Sequence, residues 1–173
     1  MMSMEYVVNE NRNLRSIIRD ELKISSRLFS KIKDDYVWVN GEHPIYYKEL
    51  NEGDVIRIYF DYPDWNFNNI VPNDNIKLDI LYEDKWLLIV NKSANLPVHP
   101  SINYYTNSLS NGVRAYFGKL GLYKTVRLVN RIDKDTTGIV IIAKCEYIQE
   151  YLIREMKTND FLKEYIAIVK RKS

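Results

Sequence analysis

Apolar residues first recur at helical spacing: Leu14, Ile17, Ile18 and Leu22, then Leu28, Phe29 and Ile32. Ser25 and Ser26 stand between the two runs, so a serine can cap the second helix at its start. The period then changes to two. In "YVWVNG" Val37 and Val39 share a face, and Asn40-Gly41 is a strong turn signal. In "GDVIRIYF" Val55, Arg57 and Tyr59 alternate with Ile56, Ile58 and Phe60. The pattern predicts helix, helix, strand, loop, strand over residues 1–60.

Residues 61–75, "DYPDWNFNNIVPNDN", show no period and are rich in Pro, Asn and Asp, the composition of a linker. Trp65 and Phe67 within it are candidates for packing on a neighbouring surface. A second unit, 76–173, follows. "LDILYED" and "WLLIVNK" predict two short strands around Glu83-Asp84-Lys85, and "LPVHP" is extended because proline disfavours helix in its predecessor. Ser108 to Phe117 predicts a helix with Leu109, Val113 and Tyr116 on one face. Ile139 to Ala143 predicts a buried strand, and Tyr147 to Met156 a helix with Ile148, Leu152 and Met156 four apart. "KEYIAIVK" predicts a last strand. Strands and helices mix without strict alternation, which points to an α+β class.

Composition narrows the classes. Of 173 residues 46% are hydrophobic and 28% charged, which excludes a disordered chain. No apolar run reaches the ~20 residues of a membrane helix, and the start lacks a signal-like stretch. A single cysteine, Cys145, cannot form an internal disulfide; it reads as a small buried hydrophobe and, with the rest, as cytoplasmic.

The net charge of +2 is too mild to identify a partner, but its distribution is uneven. Arg12, Arg15, Arg19, Lys23, Arg27, Lys31 and Lys33 face only Asp20 and Glu21 within the same stretch. A short basic stripe is the footprint of phosphate contact, with a solvated helix face as the plain alternative. A second concentration of charge lies in "VNRIDKDTTGIVIIAK", where Arg131, Asp133, Lys134 and Asp135 crowd the mouth of the buried strand. Either this is a solvent loop, or a carboxylate is held there for chemistry.

Two resemblances meet in this chain. Residues 1–60 resemble the S-four-type (α-L) RNA-binding module in element order, in Ser26-Arg27, in "VWVNG" and in the "GD" before the last strand. Residues 76–173 resemble the RluA-type family of ribosomal large-subunit pseudouridine synthases. "LYEDKWLLIVNKSANLPVHP" is similar to its first block, "NRIDKDTTGIVIIAK" to its catalytic block and "KEYIAIV" to its lysine–tyrosine block. The departures are Asn130 for histidine, Ile132 for leucine and Ser93-Ala94 for proline-glycine. The family's catalytic domain continues beyond this point, so the expectation is a partial mixed or antiparallel-sheet catalytic domain, a fragment or truncated product.

The resemblance implies a uridine isomerase: uracil leaves its ribose, turns, and is rejoined through carbon 5. The reaction involves no redox change, and no Cys/His cluster suggests a metal, so no cofactor is expected. A carboxylate must attack covalently or remove a proton beside a base taken out of its stack. Asp133 matches the family's catalytic aspartate, in a dry pocket where a nearby cation would keep it ionised. Arg131 matches the arginine that fills the space left by the flipped base, Tyr165 the tyrosine that packs on uracil, and Lys163 the lysine two positions earlier. His99 reads as a structural residue of the first block.

The leading expectation is therefore an RNA pseudouridine synthase, or part of one, acting on structured RNA, ribosomal rather than transfer. The alternative is an RNA-binding protein with a truncated, inactive synthase domain. These 173 residues alone are expected to bind RNA weakly and to turn over little, and "EYIAIV" at an unfinished sheet is expected to promote self-association.

Overall fold

A computed structural model describes residues 2–64 and 66–170; Trp65 lies outside them. The N-terminal unit carries an antiparallel sheet of β1 (Ser3–Val7), β5 (Val55–Tyr59) and β3 (Val37–Val39), in the order β1-β5-β3. Period two works as read: Ile56 and Ile58 are fully buried while Arg57 between them is exposed and pairs with Glu5. The Asn40-Gly41 turn has φ of 51° and 84°, the left-handed pair that reverses a strand tightly. β1 was not expected from the sequence, since its polar residues hide an alternation in which Met4 and Tyr6 pack on the core. A small pair, β2 (Arg12–Asn13) with β4 (Glu49–Leu50), also goes beyond that reading.

The first expected helix is α1 (Leu14–Ser16) running directly into a π-turn, Ile17–Glu21. The wider turn carries Leu22 N–H to the Ile17 carbonyl at 3.0 Å, and Leu14, Ile17, Ile18 and Leu22 are all buried. Helix α2 (Ser26–Ile32) starts where its cap predicts, with the Ser25 hydroxyl accepting from Leu28 N–H at 3.1 Å.

The second unit is built on one antiparallel sheet in the order β6-β7-β9-β8, from Asp79–Glu83, Leu87–Lys92, Gly138–Ala143 and Arg127–Leu128. Leu88 lies opposite Ile142 and Val90 opposite Val140, all fully buried. Helix α3 (Leu109–Lys119) packs Val113 and Phe117 onto these four. Gly112 is required there, because a Cβ at that position would meet the Ile76 side chain at 2.6 Å. Helix α4 (Glu146–Glu155) follows β9 after two residues.

The expected last strand does not form. Residues 161–170 make no ladder bonds, and Leu162, Ile166, Ile168 and Val169 are between 79% and 102% exposed. An alternating pattern is held as a strand only by a paired neighbour, and no described segment pairs with this one.

Residues 61–75 contain one short 3-10 turn, Phe67–Asn69, yet are tied down closely. Asp64 accepts from Thr125 N–H at 3.0 Å, the Thr125 hydroxyl at 2.8 Å and Arg127 Nη2 at 2.7 Å. Phe67 sits edge-on to Tyr123 and beneath the Arg114 guanidinium. The two units also share apolar contacts: Cys145, 3% exposed, joins the N-terminal core, against which Trp86, Tyr147 and Ile148 pack. The buried thiol matches the expectation for Cys145, and burial raises its pKa.

Candidate active site

The loop of residues 129–137 joins edge strand β8 to β9, and its placement begins with backbone pairing. Val129 N–H donates to the Ile141 carbonyl at 2.9 Å. Asn130 extends the ladder with its side chain: Nδ2 donates to the Ile139 carbonyl at 2.9 Å and Oδ1 accepts from Ile141 N–H at 2.8 Å. Ile132 then turns inward and packs on the second core, leaving Arg131 and Asp133 exposed on either side of it in sequence. A turn closes the loop, with Thr136 N–H donating to the Asp133 carbonyl at 3.2 Å. Gly138 opens β9 at φ 131°, a conformation that side chains rarely adopt.

Beneath the loop lies Lys92, only 1% exposed. Its ammonium donates to the carbonyls of Ser93, Leu96 and Lys134 at 2.8, 2.7 and 2.9 Å, so one cation ties the loop of residues 93–96 to the Asp133 loop. Burial lowers its pKa, while the carboxylates of Asp135 and Asp133 oppose that change. The signal for this lysine was in the sequence: Leu88, Val90 and Lys92 are the alternate positions that a buried face would claim.

Asp133 is not in the dry pocket expected of it. Its side chain is exposed and makes no hydrogen bond among the described residues, because the loop meets solvent on the side away from Ile132. Lys134 lies with its ammonium 5.1 Å from the Tyr104 ring centre, bringing the turn Ile102–Tyr104 against the loop. A hollow of about 380 Å³ is lined by Asn91, Lys92, Ser93, Leu96 and Thr137, a volume that can admit a small ligand, but neither Asp133 nor Arg131 lines it. A larger hollow of about 810 Å³, on the outer face of the N-terminal sheet around Trp38, Arg57 and Tyr59, contains none of the candidate residues.

Lys163 and Tyr165 are exposed, Tyr165 by 67%, and neither makes a hydrogen bond, ion pair or ring contact among the described residues. The structure does not bring them to Asp133. His99 is exposed as well.

The seven basic residues fall into three groups. Arg12 is held by Glu21 at 2.6 Å, with Glu10 and Asp20 at 3.7 Å; Arg19 pairs with Asp20 at 2.7 Å and Lys33 with Asp34 at 2.8 Å. Lys31 and Arg27 reach the second unit, where Glu146 stands 2.5 Å and 3.9 Å from them. Arg15 and Lys23 are exposed with no ion pair among the described residues.

The family model for RNA pseudouridylate synthase matches residues 86–173, which contain β7, Lys92, the Asp133 loop and Tyr165. The chain belongs to the RNA pseudouridylate synthase family. Among its relatives is an uncharacterized RNA pseudouridine synthase, YjbO of Bacillus subtilis, 34% identical over 86% of this chain and 53% of that protein. Ribosomal large subunit pseudouridine synthase D of Blochmanniella floridana is 43% identical over 58% of this chain and 32% of its own length. The protein of the same name in Neisseria meningitidis serogroup B is 33% identical over 83% and 38%. The chain therefore spans about half or less of these three relatives. Among the described residues, no helix is long and apolar enough to cross a membrane.

Proposed function

We propose that this chain serves the isomerisation of uridine to pseudouridine in structured RNA, with Asp133 as the catalytic carboxylate. The observation that carries the reading is the Arg131–Asp133 loop, pinned by Asn130 and Lys92 at a sheet edge inside the segment that matches the family. Asp133 attacks covalently or removes a proton, Arg131 takes the place of the flipped base, and Tyr165 and Lys163 complete the site when the segment bearing them closes over the loop. The N-terminal unit acts as an S-four-type RNA grip. The names of the synthase D relatives favour ribosomal RNA as substrate, and a substrate of that kind supports reading the protein as cytoplasmic. The exposed apolar segment 162–169 offers a surface for self-association.

The deciding assay is release of tritium from RNA labelled at carbon 5 of uridine, since that hydrogen is lost when the new carbon–carbon bond forms. Asp133→Ala should cut release by about a thousandfold, the scale of a positioned acid–base or nucleophilic group, with RNA affinity unchanged. Equal release from both proteins removes Asp133 from the mechanism. A second reading, RNA binding by a chain with an inactive synthase domain, is favoured by the exposure of Lys163 and Tyr165 away from any described partner. It predicts RNA binding with no release from either protein.

A further inference from the structure

Helix α4 carries Glu146, Glu150 and Arg154 four residues apart, a stripe about 12 Å long along one face. Every member of the stripe bonds to the N-terminal unit. Glu146 accepts from Lys31 Nζ at 2.5 Å and lies 3.9 Å from Arg27 Nε. Glu150 accepts from the Ser25 hydroxyl at 2.7 Å, the same hydroxyl that caps α2. Arg154 donates to the Lys23 carbonyl at 3.3 Å. Three consecutive turns of α4 thus hold the last turn, the capped start and the approach of α2.

The Glu146 end of this seam is buried. The Glu146 side chain is 9% exposed, and besides Lys31 it accepts from the Tyr62 hydroxyl at 3.2 Å and faces Arg127 at 3.9 Å. Phe60 stacks on Tyr147 with ring centres 4.9 Å apart and meets Trp86 edge-on. Apolar contact supplies adhesion but tolerates rotation; directional bonds along three turns do not. From another side of α4, Gln149 donates to the carbonyl of Leu128, the last residue of β8 before the Asp133 loop, at 2.9 Å. One helix therefore touches both the N-terminal unit and the root of the candidate active loop.

We propose that α4 is the positioning element between the two units: Glu146, Glu150 and Arg154 fix the N-terminal unit at one angle to the Asp133 loop. A structured RNA held by that unit then presents its unpaired uridine strand at the loop. The RNA clause rests on the reading of the N-terminal unit as an RNA grip; the fixed angle does not. Lys31 and Arg27 serve this seam; of the seven basic residues, Arg15 and Lys23 are the two exposed with no ion pair among the described residues. Because both units belong to one chain, the second contact of a bridging RNA is intramolecular, and a fixed angle that suits the RNA raises its effective concentration above that of a freely rotating pair.

The test uses the full chain and the variant E146A/E150A. Residual dipolar couplings should fit one alignment tensor for both units of the unmodified chain and require two in the variant. E150Q, which keeps an acceptor for Ser25, should retain the single tensor. Should the double variant lose amide dispersion, E150A is read by the same criterion. The second arm compares an RNA hairpin bearing a uridine-containing single strand with the same hairpin lacking it. The variant should bind the tailed hairpin about tenfold more weakly and the plain hairpin within about twofold. A single unchanged tensor in the variant overturns the proposal, and so does an equal weakening on both RNAs. If neither RNA binds the unmodified chain, the RNA clause falls, and the tensors still decide the fixed angle.

Discussion

The buried ammonium of Lys92 donates to the backbone carbonyl of Lys134 at 2.9 Å, so a strand-end cation sets the height of the loop that carries Asp133. Hydrogen bonds from a charged donor are worth about 1.5–3 kcal/mol each, and here one donor satisfies three carbonyls. Lys92→Met keeps the bulk and removes the donor. Urea unfolding should report a loss of about 2 kcal/mol or more. In the tritium-release assay, turnover should fall further than RNA affinity, because the carboxylate loses its support while the N-terminal unit is untouched. Unchanged stability would show that the loop is held by Asn130 and β9 alone.

A pH dependence follows from Asp64. Burial pushes its carboxyl pKa up, but Thr125 N–H, the Thr125 hydroxyl and the Arg127 guanidinium outweigh that and hold it below the usual 3.8. A carboxylate depressed in the folded state stabilises above its unfolded pKa, and the gain is lost as pH falls through the folded value. Asp64→Asn should therefore cost about 2 kcal/mol at neutral pH. The gap to the unmodified chain should narrow as pH drops below 3.8. Denaturant melts at pH 7 and across the acid range measure both; a gap independent of pH would exclude the ion pair as its source.

The basic residues separate by what already holds them. Arg15 and Lys23 are exposed with no ion pair among the described residues, whereas Arg12 is held by Glu21 at 2.6 Å. Removing a cation that neutralises one phosphate should lower the slope of log affinity against log salt by about 0.7–0.9. Arg15→Ala and Lys23→Ala should each do so, and Arg12→Ala should change the slope less. A salt titration of hairpin RNA binding decides it; equal slopes for all three would mean that the internal pairs open on binding.

Much of this fold was legible in the sequence because its signals are local. The Ser25 cap, the Asn40-Gly41 turn, the apolar run from Ile139 and the spacing in α3 and α4 each depend on residues within a turn or two. The π-turn at Ile17–Glu21 was not legible, since buried Ile17, Ile18 and Leu22 satisfy an α-helical pattern equally well. Nor was the missing strand after Lys163, whose alternation is sound but whose partner is not among the described strands. For the site, Asp133 and Arg131 stand out through a long pattern, not through local chemistry. Lys92 could have been found as a lysine on a buried stripe. The partner of Lys31 could not, for Glu146 is 115 residues away and only the fold brings it near.

The segment after α4 sets the last expectation. Ile166 and Ile168 are wholly exposed, Leu162 and Val169 nearly so, and the backbone of residues 161–170 makes no ladder bond. Burying one such isoleucine is worth about 1.5–3 kcal/mol, and an extended apolar segment with open backbone groups is a template for pairing. Two copies can satisfy both needs by pairing these segments with each other or with an exposed sheet edge such as β6, where Leu81 and Tyr82 are about half exposed. Light scattering should show a mass that rises with protein concentration. The variant I166K/I168K should hold the mass of one chain, since two lysines on the apolar face oppose burial while each unit's own core is left intact. A concentration-independent mass of one chain before substitution would show that this segment does not pair between copies.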